Sequence, residues 1–301
     1  SFFVKGLDFR TEAVKNPLCN MNQKWSGEKM LIIPSLIDDS CDHDLIVTAF
    51  CKLQTSKFGT IALVPSTKNC KQYQNLGAII TNTGNIFEVL DNLKKGDFSK
   101  IVVINNRYDG IDLPDESCRI LILDSLPYFD SLADRYEEQS CPNSDLINKR
   151  IAQKIEQGIG RGVRGEKDYC AILVIGSELV RFMRSIATNK FFSAQTRKQI
   201  EIGIEIANMA KEDYDETESP VKIVASLIKQ MLERDEGWKE YYSSEMATIE
   251  EDDTESTVYE RLLKERQAEQ FFSECEYDKA ISTMQNLIDE LVADDTEKGK
   301  C

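Results

Sequence analysis

Residues 59–66 read G-T-I-A-L-V-P-S, and residues 100–106 read K-I-V-V-I-N-N. Each is an apolar run, rich in β-branched side chains, that ends in polar or turn residues. Such runs are typical of strands buried on both faces of a parallel sheet. The sequence contains four more of them, namely M-L-I-I-P-S at 30–35, G-A-I-I-T-N-T at 77–83, C-R-I-L-I-L-D at 118–124 and C-A-I-L-V-I-G at 170–176. We expect these runs to be the strands of a sheet.

The segments between these runs have the apolar spacing of helices. We expect helices over residues 42–57, 67–76, 85–95 and 131–157. Strands that alternate with helices imply parallel pairing with right-handed crossovers. The predicted fold class is therefore α/β, a parallel sheet flanked by helices.

After Gly176 the strand pattern stops. Residues 177–212 read as one or two helices, and Ser219 followed by Pro220 predicts a further helix start with the serine hydroxyl as its cap. Two more helices are expected over 258–272 and 277–291. The resulting organisation is a lead-in segment, an α/β domain and an acidic helical C-terminal domain, with bounds 1–28, 29–212 and 213–301.

One pattern near the C-terminus has the spacing of a helical hairpin. Ala268, Phe272, Tyr277, Ala280 and Ile281 resemble a single tetratricopeptide-type unit. Because a solenoid needs at least three repeats and this pattern occurs once, an ordinary helical hairpin is favoured.

The net charge of −15 is unevenly distributed along the chain. Residues 1–200 contain 24 acidic and 26 basic side chains, whereas residues 201–301 contain 28 acidic and 11 basic ones. The acidity therefore belongs to the C-terminal third, where it suits a protein partner better than a nucleic acid. The remainder can carry the local basic patches that a nucleic-acid partner needs.

The nine cysteines never form C-x-x-C or another compact cluster, so we expect no metal site. Reduced thiols and the lack of a membrane-length apolar run favour a cytoplasmic protein with no membrane partner. The chain begins with serine and lacks the zones of a signal peptide, so we expect a piece of a longer protein. The single histidine, His43, is expected to be an exposed loop or helix-start residue.

The strongest chemical signal is Q-G-I-G-R-G-V-R at residues 157–164, directly before the last predicted strand. On a helix, Gln157, Arg161 and Arg164 would share one face and direct an amide and two guanidinium groups at a polyphosphate. The glycines of this stretch are unfavourable in a helix, each by up to about 1 kcal/mol. Close backbone approach to a nucleotide or a partner domain explains them, and a glycine-rich helix end is the alternative.

About fifty residues earlier, residues 107–114 read R-Y-D-G-I-D-L-P at the end of a predicted strand. Ligands of parallel α/β sheets bind at the carboxyl ends of the strands, and we place residues 106–112 at that edge. In this order and at this separation, the two stretches resemble motifs V and VI of the second RecA-like domain of superfamily 2 helicases. D-G-I-D-L-P, C-R-I-L-I-L-D-S-L-P and Q-G-x-G-R-x-x-R-G are most similar to the XPD and DinG type.

The resemblance implies a role for individual residues. Arg164 matches the arginine finger, Arg161 its companion phosphate contact and Gln157 the glutamine that positions both. Further implied contacts are with ATP at Gly110, Asp112 and Gly160, and with nucleic acid at Ser66, Thr83, Gly84, Asn105, Asn106 and Arg107. At Thr83 and Gly84 the contact would be made by free backbone amides before a helix.

The resemblance also implies what this chain lacks. ATP and Mg²⁺ lie between two RecA-like domains in such motors, and the sequence contains no G-x-x-x-x-G-K-[ST] loop. Asp124 ends a strand as a magnesium-binding acid would, but it follows motif V, so we reject that role. We therefore expect half of a motor, whose ATP and Mg²⁺ sites need an N-terminal RecA-like domain and which alone does not hydrolyse ATP.

Three functions stay open at this point. The first is the C-terminal motor half of an ATP-dependent DNA helicase or translocase that tracks on single-stranded DNA, with RNA as the alternative. The second is the motor of a restriction or defence complex. The third is an inactive scaffold that binds partners through its acidic helices.

Overall fold

The computed structural model describes residues 25–52, 57–107, 113, 115–128, 132–140, 145–163, 165, 167–212, 219–250 and 256–290. The chain divides into two compact units. One comprises Gln23–Ile249, and the other comprises Ser1–Asn22 with Glu250–Cys301.

The larger unit is built on a six-stranded, fully parallel sheet, and every predicted apolar run is one of its strands. The strands are β1 Glu28–Ile32, β2 Thr60–Val64, β3 Ile79–Ile80, β4 Val102–Asn105, β5 Ile120–Asp124 and β6 Tyr169–Ile175. Their order across the sheet is β1-β6-β5-β2-β4-β3. The α/β class and the parallel sheet flanked by helices are therefore confirmed.

The helices of the described residues begin and end as follows: α1 Pro34–Ile37, α2 His43–Lys52, α3 Thr67–Asn75, α4 Ile86–Lys94, α5 Leu132–Ser140, α6 Asp145–Ile159, α7 Ser177–Arg184, α8 Ile186–Asn189, α9 Ala194–Glu212, α10 Pro220–Leu232, α11 Glu236–Ala247, α12 Ser256–Ser273 and α13 Tyr277–Glu290. Two 3₁₀ turns, Asp115–Cys118 and Gly160–Gly162, precede β5 and β6.

Each face of the sheet carries its own apolar layer, because successive strand residues point to opposite faces. Leu63 and Leu123 contribute to a cluster with α4, α6 and α7. Their neighbours Val64 and Ile122 contribute to a second cluster with α2, α3, α10 and α11. The strands are thus buried on both sides, as the apolar runs predict.

The helix predictions differ from the structure in three places. Residues 131–157 were expected to form one helix, but α5 and α6 are separate, and Pro142 between them cannot continue a helix. Residues 177–212 contain three helices instead of one or two. Ser219 precedes α10, with Pro220 at its first position, but the Ser219 side chain makes no capping hydrogen bond.

The boundary expected at residue 213 also differs from the structure, which extends the compact unit to Ile249. Helices α10 and α11 cover one face of the sheet, and Val224, Trp238 and Tyr242 are buried there. The Gln199 amide donates a 2.9 Å hydrogen bond to the Tyr242 hydroxyl. The acidic side chains of this region lie on the outer face of its helices, whereas the inner face is apolar and packs against the sheet.

In the smaller unit, the described residues form the expected helical hairpin of α12 and α13. Ala268, Ala280 and Leu287 are buried between the helices. The rings of Phe272 and Tyr277 meet edge to face, with centroids 5.4 Å apart. In neither unit does the described part of the chain contain a helix long and apolar enough to cross a membrane.

Candidate functional site

At the carboxyl ends of β2 and β4, polar side chains are joined by hydrogen bonds. The Ser66 hydroxyl caps α3 by accepting from the Asn69 amide at 3.3 Å. The Asn105 side-chain amide donates to the Thr67 hydroxyl at 3.0 Å. The Asn105 Oδ1 oxygen is buried and accepts no hydrogen bond from the described residues. These bonds hold Ser66 and Asn105 at one edge of the sheet, and the Asn105 Oδ1 is a buried acceptor that the described residues do not satisfy.

The next two residues turn the chain away from the sheet. Asn106 has a φ of +45°, a left-handed conformation that asparagine tolerates better than most residues. Its amide donates to the Val64 carbonyl at 2.8 Å, which anchors the turn to β2. Arg107 follows and is exposed. The structure thus places Asn105, Asn106 and Arg107 at the edge where the sequence predicts them.

Thr83 and Gly84 lie at the same edge, after β3, and both are exposed. The amides of Gly84 and Asn85 were expected to be free to bind a phosphate. Both instead donate to the Asn82 side chain, at 2.8 and 3.1 Å. The expectation of free amides is therefore wrong for these two groups, because Asn82 already satisfies them.

Sequence reasoning missed Phe87, which stands on the first turn of α4, three residues after Gly84. Its side chain is 77 % exposed, although the neighbouring Ile86 and Leu90 are buried. An exposed aromatic ring is the feature on which an unpaired base can stack. The signal in the sequence is a Phe beside Ile86, at a position that the helical spacing assigns to the outer face.

The carboxyl end of β5 holds a buried carboxylate that sequence reasoning left without a role. Asp124 is fully buried, and its Oδ2 accepts from His43 Nε2 at 2.9 Å and from the Tyr73 hydroxyl at 3.0 Å. Its Oδ1 accepts from the Ser125 hydroxyl at 2.7 Å. A carboxylate whose two oxygens are occupied in this way is closed to a metal ion.

His43 is a helix-start residue, as expected, but it is only half-exposed and has partners. Its Nδ1 lies 3.2 Å from the Asp44 carboxylate, in addition to the contact with Asp124. The hydrogen bond to Asp124 raises the pKa of His43 from 6.5 to about 9, against the opposing effect of burial. The imidazole is therefore a cation at neutral pH.

Residues 157–163 lie at the opposite, amino edge of the sheet, before β6. Helix α6 ends at Ile159, a 3₁₀ turn follows and Val163 is extended. Gln157 is exposed, whereas Arg161 is only 4 % exposed. The prediction that both share one helical face is wrong, because the glycines end the α-helix between them.

Two glycines of this turn have different surroundings. A Cβ on Gly162 would lie 2.8 Å from the Cβ of Cys170, so glycine is required there by packing within the chain. Burial raises the pKa of the Cys170 thiol well above its usual range, which leaves it unreactive. A Cβ on Gly160 would meet no atom within 4 Å. Gly160 therefore leaves open space beside the backbone.

An ion pair that the sequence did not reveal fixes the end of this loop. Arg119, before β5, pairs with Asp168, before β6, and donates to the Tyr169 carbonyl at 2.9 Å. The Arg119 guanidinium also stacks on the Tyr169 ring, 4.0 Å from its centroid. Because both ionic groups are buried, the pair fixes the chain on the C-terminal side of residue 164.

Three predicted residues, Gly110, Asp112 and Arg164, lie outside the described residues. The structure does describe neighbouring residues on the C-terminal side of Asp112 and on the N-terminal side of Arg164. Leu113 is buried in the core, and the 3₁₀ turn Asp115–Cys118 contacts the turn Gly160–Gly162. Residues 115–118 thus lie at the amino edge, next to the turn Gly160–Gly162.

The arrangement therefore separates the predicted residues into two groups. Ser66, Thr83, Gly84, Asn105, Asn106 and Arg107 lie at the carboxyl edge of the sheet. Gln157, Gly160 and Arg161 lie at the amino edge. A ligand at one edge is separated from a ligand at the other by the length of the strands.

Comparison with known families gives one match. Residues 55–198 match the family described as helicase C-terminal domain. The matched segment begins just before β2 and ends in α9, and it contains every predicted site residue. Among curated proteins there is no significant match.

Two solved structures, one of apo XPD and one of XPD helicase, are similar to this chain. Each is 14 % identical over 55 % of this chain, with a TM-score of 0.39. The matched region spans 38 % of the apo XPD chain and 34 % of the XPD helicase chain.

Proposed function

We propose that this chain is the C-terminal motor half of an ATP-dependent DNA helicase or translocase of superfamily 2, of the XPD and DinG type, because residues 55–198 match the helicase C-terminal domain family. In this proposal the carboxyl edge of the sheet contacts single-stranded DNA. The amino edge contacts ATP that is held by an N-terminal RecA-like domain of the same protein. The separation of the two groups of residues carries the proposal, because a motor needs both ligands bound at once without competition.

The polar carboxyl edge supports the assignment of the DNA contacts. Asn105 holds this edge together through its hydrogen bond to Thr67, and exposed Arg107 offers a cation for a phosphate. Exposed Phe87 adds an aromatic ring to the same edge. Backbone-directed cations combined with stacking surfaces are what single-strand binding requires. We therefore propose these residues, with Ser66 and Thr83, as the DNA track.

At the amino edge we assign the arginine finger to Arg164. Arginines that reach the γ-phosphate stabilise the charge that spreads over its oxygens during transfer. Buried Arg161 would need the 3₁₀ turn to move before it could touch a phosphate directly. Its companion role therefore includes holding the turn that presents Arg164.

The open space at Gly160 fits the approach of a nucleotide to this wall. When ATP is bound in the intact protein, we expect Gly110, Asp112 and Gly160 to contact it, together with Gln157 and both arginines. ATP supplies the phosphoryl group whose transfer drives movement. Mg²⁺ would be held by the other domain, since the Asp124 carboxylate is closed to a metal ion.

The alternatives are the motor of a restriction or defence complex, which moves along DNA without separating strands, and an inactive scaffold whose acidic helices recruit a protein. The test is ATP hydrolysis by the intact protein with and without single-stranded DNA, followed by strand displacement on a tailed duplex and third-strand displacement on a triplex. Stimulated hydrolysis with both displacements supports the helicase. Triplex displacement without duplex unwinding supports the complex-type motor, and absent hydrolysis supports the scaffold.

A further inference from the structure

A cavity of about 830 Å³ lies at the carboxyl ends of β1 and β6. It is separated from the proposed ATP wall, because Gly160–Gly162 precede the amino end of β6. It is also separated from the proposed DNA track on β2, β4 and β3, because β5 lies between them in the sheet. Cavities of 300–1,000 Å³ are the usual size of ligand pockets.

One wall of the cavity carries two arginines of α7, Arg181 and Arg184. Both are exposed, and neither forms an ion pair with a described carboxylate. Other arginines of this unit are paired, for example Arg234 with Glu28 at 2.8 Å. Two unpaired guanidinium groups one turn apart can together bind a phosphate through several hydrogen bonds.

Another wall, formed by the segment between α1 and α2, carries carboxylates. Asp39 and Asp42 both line the cavity. Both are exposed, but the Asp42 carboxylate accepts from the Leu45 amide at 2.7 Å, whereas Asp39 has no hydrogen-bond partner among the described residues. His43 also lines the cavity, but both of its ring nitrogens already contact aspartates. The cavity therefore presents arginines on one element and an available carboxylate on another.

Apolar side chains complete the lining, among them Leu36 and Val180. A ligand that suits all of these surfaces has an anionic end, an apolar face and a group that donates hydrogen bonds. A nucleotide with an amino-bearing base combines them, since guanidinium groups bind phosphates and carboxylates accept from the amino group of cytosine.

We propose that this cavity binds one nucleotide unit, with the phosphate on Arg181 and Arg184 and the exocyclic amino group of the base on Asp39. The unit can belong to a DNA strand or be a free nucleotide, because the recognising chemistry is the same. Only the strand-bound form rests on the proposed function. Thymine lacks an exocyclic amino group, so the cavity should prefer deoxycytidine to thymidine.

The test measures binding of oligo(dC), oligo(dT), dCMP and dTMP to the complete 301-residue chain. Four proteins are compared, namely wild type, Arg181→Gln/Arg184→Gln, Asp39→Ala and Arg135→Gln. Arg135 is the matched control, since it is an exposed arginine on α5. Melting curves establish that every variant is folded.

We expect the double variant to weaken oligo(dC) binding by about tenfold and to reduce the magnitude of the salt slope by about 1–2, because phosphate contacts release counterions. Asp39→Ala, which removes the acceptor, should abolish the preference for dC over dT with little change in oligo(dT) binding. Arg135→Gln should resemble wild type. If wild type binds dCMP and the double variant does not, the cavity also binds free nucleotides. If the double variant loses affinity only for the oligomer, the nucleotide unit is strand-bound.

Wild-type affinity of the folded double variant for both oligo(dC) and dCMP would overturn the inference. So would a dC preference that survives in Asp39→Ala. A chain that binds dCMP through these arginines but binds no oligomer would contradict the proposed DNA track and leave the cavity assignment intact. If all four proteins bind the oligomers with the same affinity, the strand-bound assignment of the cavity is contradicted and the proposed DNA track is left intact.

Discussion

The imidazole of His43 lies 2.9 Å from the fully buried carboxylate of Asp124 and joins the start of α2 to the end of β5. The residues are 81 positions apart in the sequence, so the pair is a tertiary contact that no local sequence pattern predicts. Its donor is a cation at neutral pH, because the hydrogen bond raises the pKa of His43 to about 9. The pair therefore links the stability of this edge to pH.

The first prediction concerns that dependence. A histidine whose folded-state pKa is raised contributes stability in full below its unfolded pKa of about 6.5, and this stability is lost as the pH rises towards about 9. We expect the wild-type free energy of unfolding to fall by on the order of 2 kcal/mol between pH 6 and pH 9.5 relative to His43→Gln. Urea unfolding at several pH values measures this difference, and parallel curves for the two proteins would contradict it.

The second prediction concerns Phe87. If its exposed ring stacks on a base, Phe87→Ala should weaken single-stranded DNA binding by about 1–3 kcal/mol. The salt slope should not change, because no phosphate contact is lost. Fluorescence anisotropy at several salt concentrations tests both points. Phe87→Tyr should restore affinity, and Tyr136→Ala, which removes an exposed aromatic ring from α5, should have no effect.

How far the sequence predicts this fold is clearest at the strands. Apolar runs such as 118–124 are decided locally, by β-branched composition and a polar end, and all became strands. Helix α11 was misassigned to a separate acidic domain, because composition averages over both faces. Trp238 and Tyr242 bury one face while the acids occupy the other.

The candidate site shows the same limit. Residues at strand ends, such as Ser66 and Asn105, were predictable because parallel topology brings those ends together. Partners that are distant in sequence were not, since no local pattern links Arg119 to Asp168 or His43 to Asp124. The burial of Arg161 also escaped prediction, because it depends on where the glycines between Gln157 and Arg161 end the helix.

The third prediction separates the two acidic regions. Removing residues 250–301 should leave the melting temperature of the larger unit unchanged, and DNA binding unchanged or stronger, since like charges are lost. Removing residues 213–301 should prevent stable folding. That deletion exposes the face covered by Val224, Trp238 and Tyr242, and each such side chain contributes about 1.5–3 kcal/mol to a total of only about 5–15 kcal/mol. Circular dichroism compares the truncated chains, and a folded 1–212 chain would contradict the assignment of α10 and α11 to this unit.

The fourth prediction concerns Arg164 in the intact protein. If its guanidinium stabilises charge that develops on the γ-phosphate, Arg164→Ala should lower kcat by about a thousandfold or more, the range found for arginine fingers. The affinity for ATP should change much less, because the interaction strengthens in the transition state. Arg164→Lys should rescue poorly, since an ammonium group on a flexible stem cannot reproduce the planar fork of the guanidinium.

The control for Arg164 is Arg135→Ala, which removes an exposed arginine from α5. If Arg164 formed only a surface ion pair, its removal would change stability by less than about 1 kcal/mol and leave turnover normal. Measuring DNA-stimulated ATP hydrolysis and melting temperature on the same samples distinguishes the two roles. Normal turnover of Arg164→Ala at saturating ATP and DNA would remove the finger from the mechanism. The proposed contact with the γ-phosphate would then fall to Arg161, which is buried in its 3₁₀ turn.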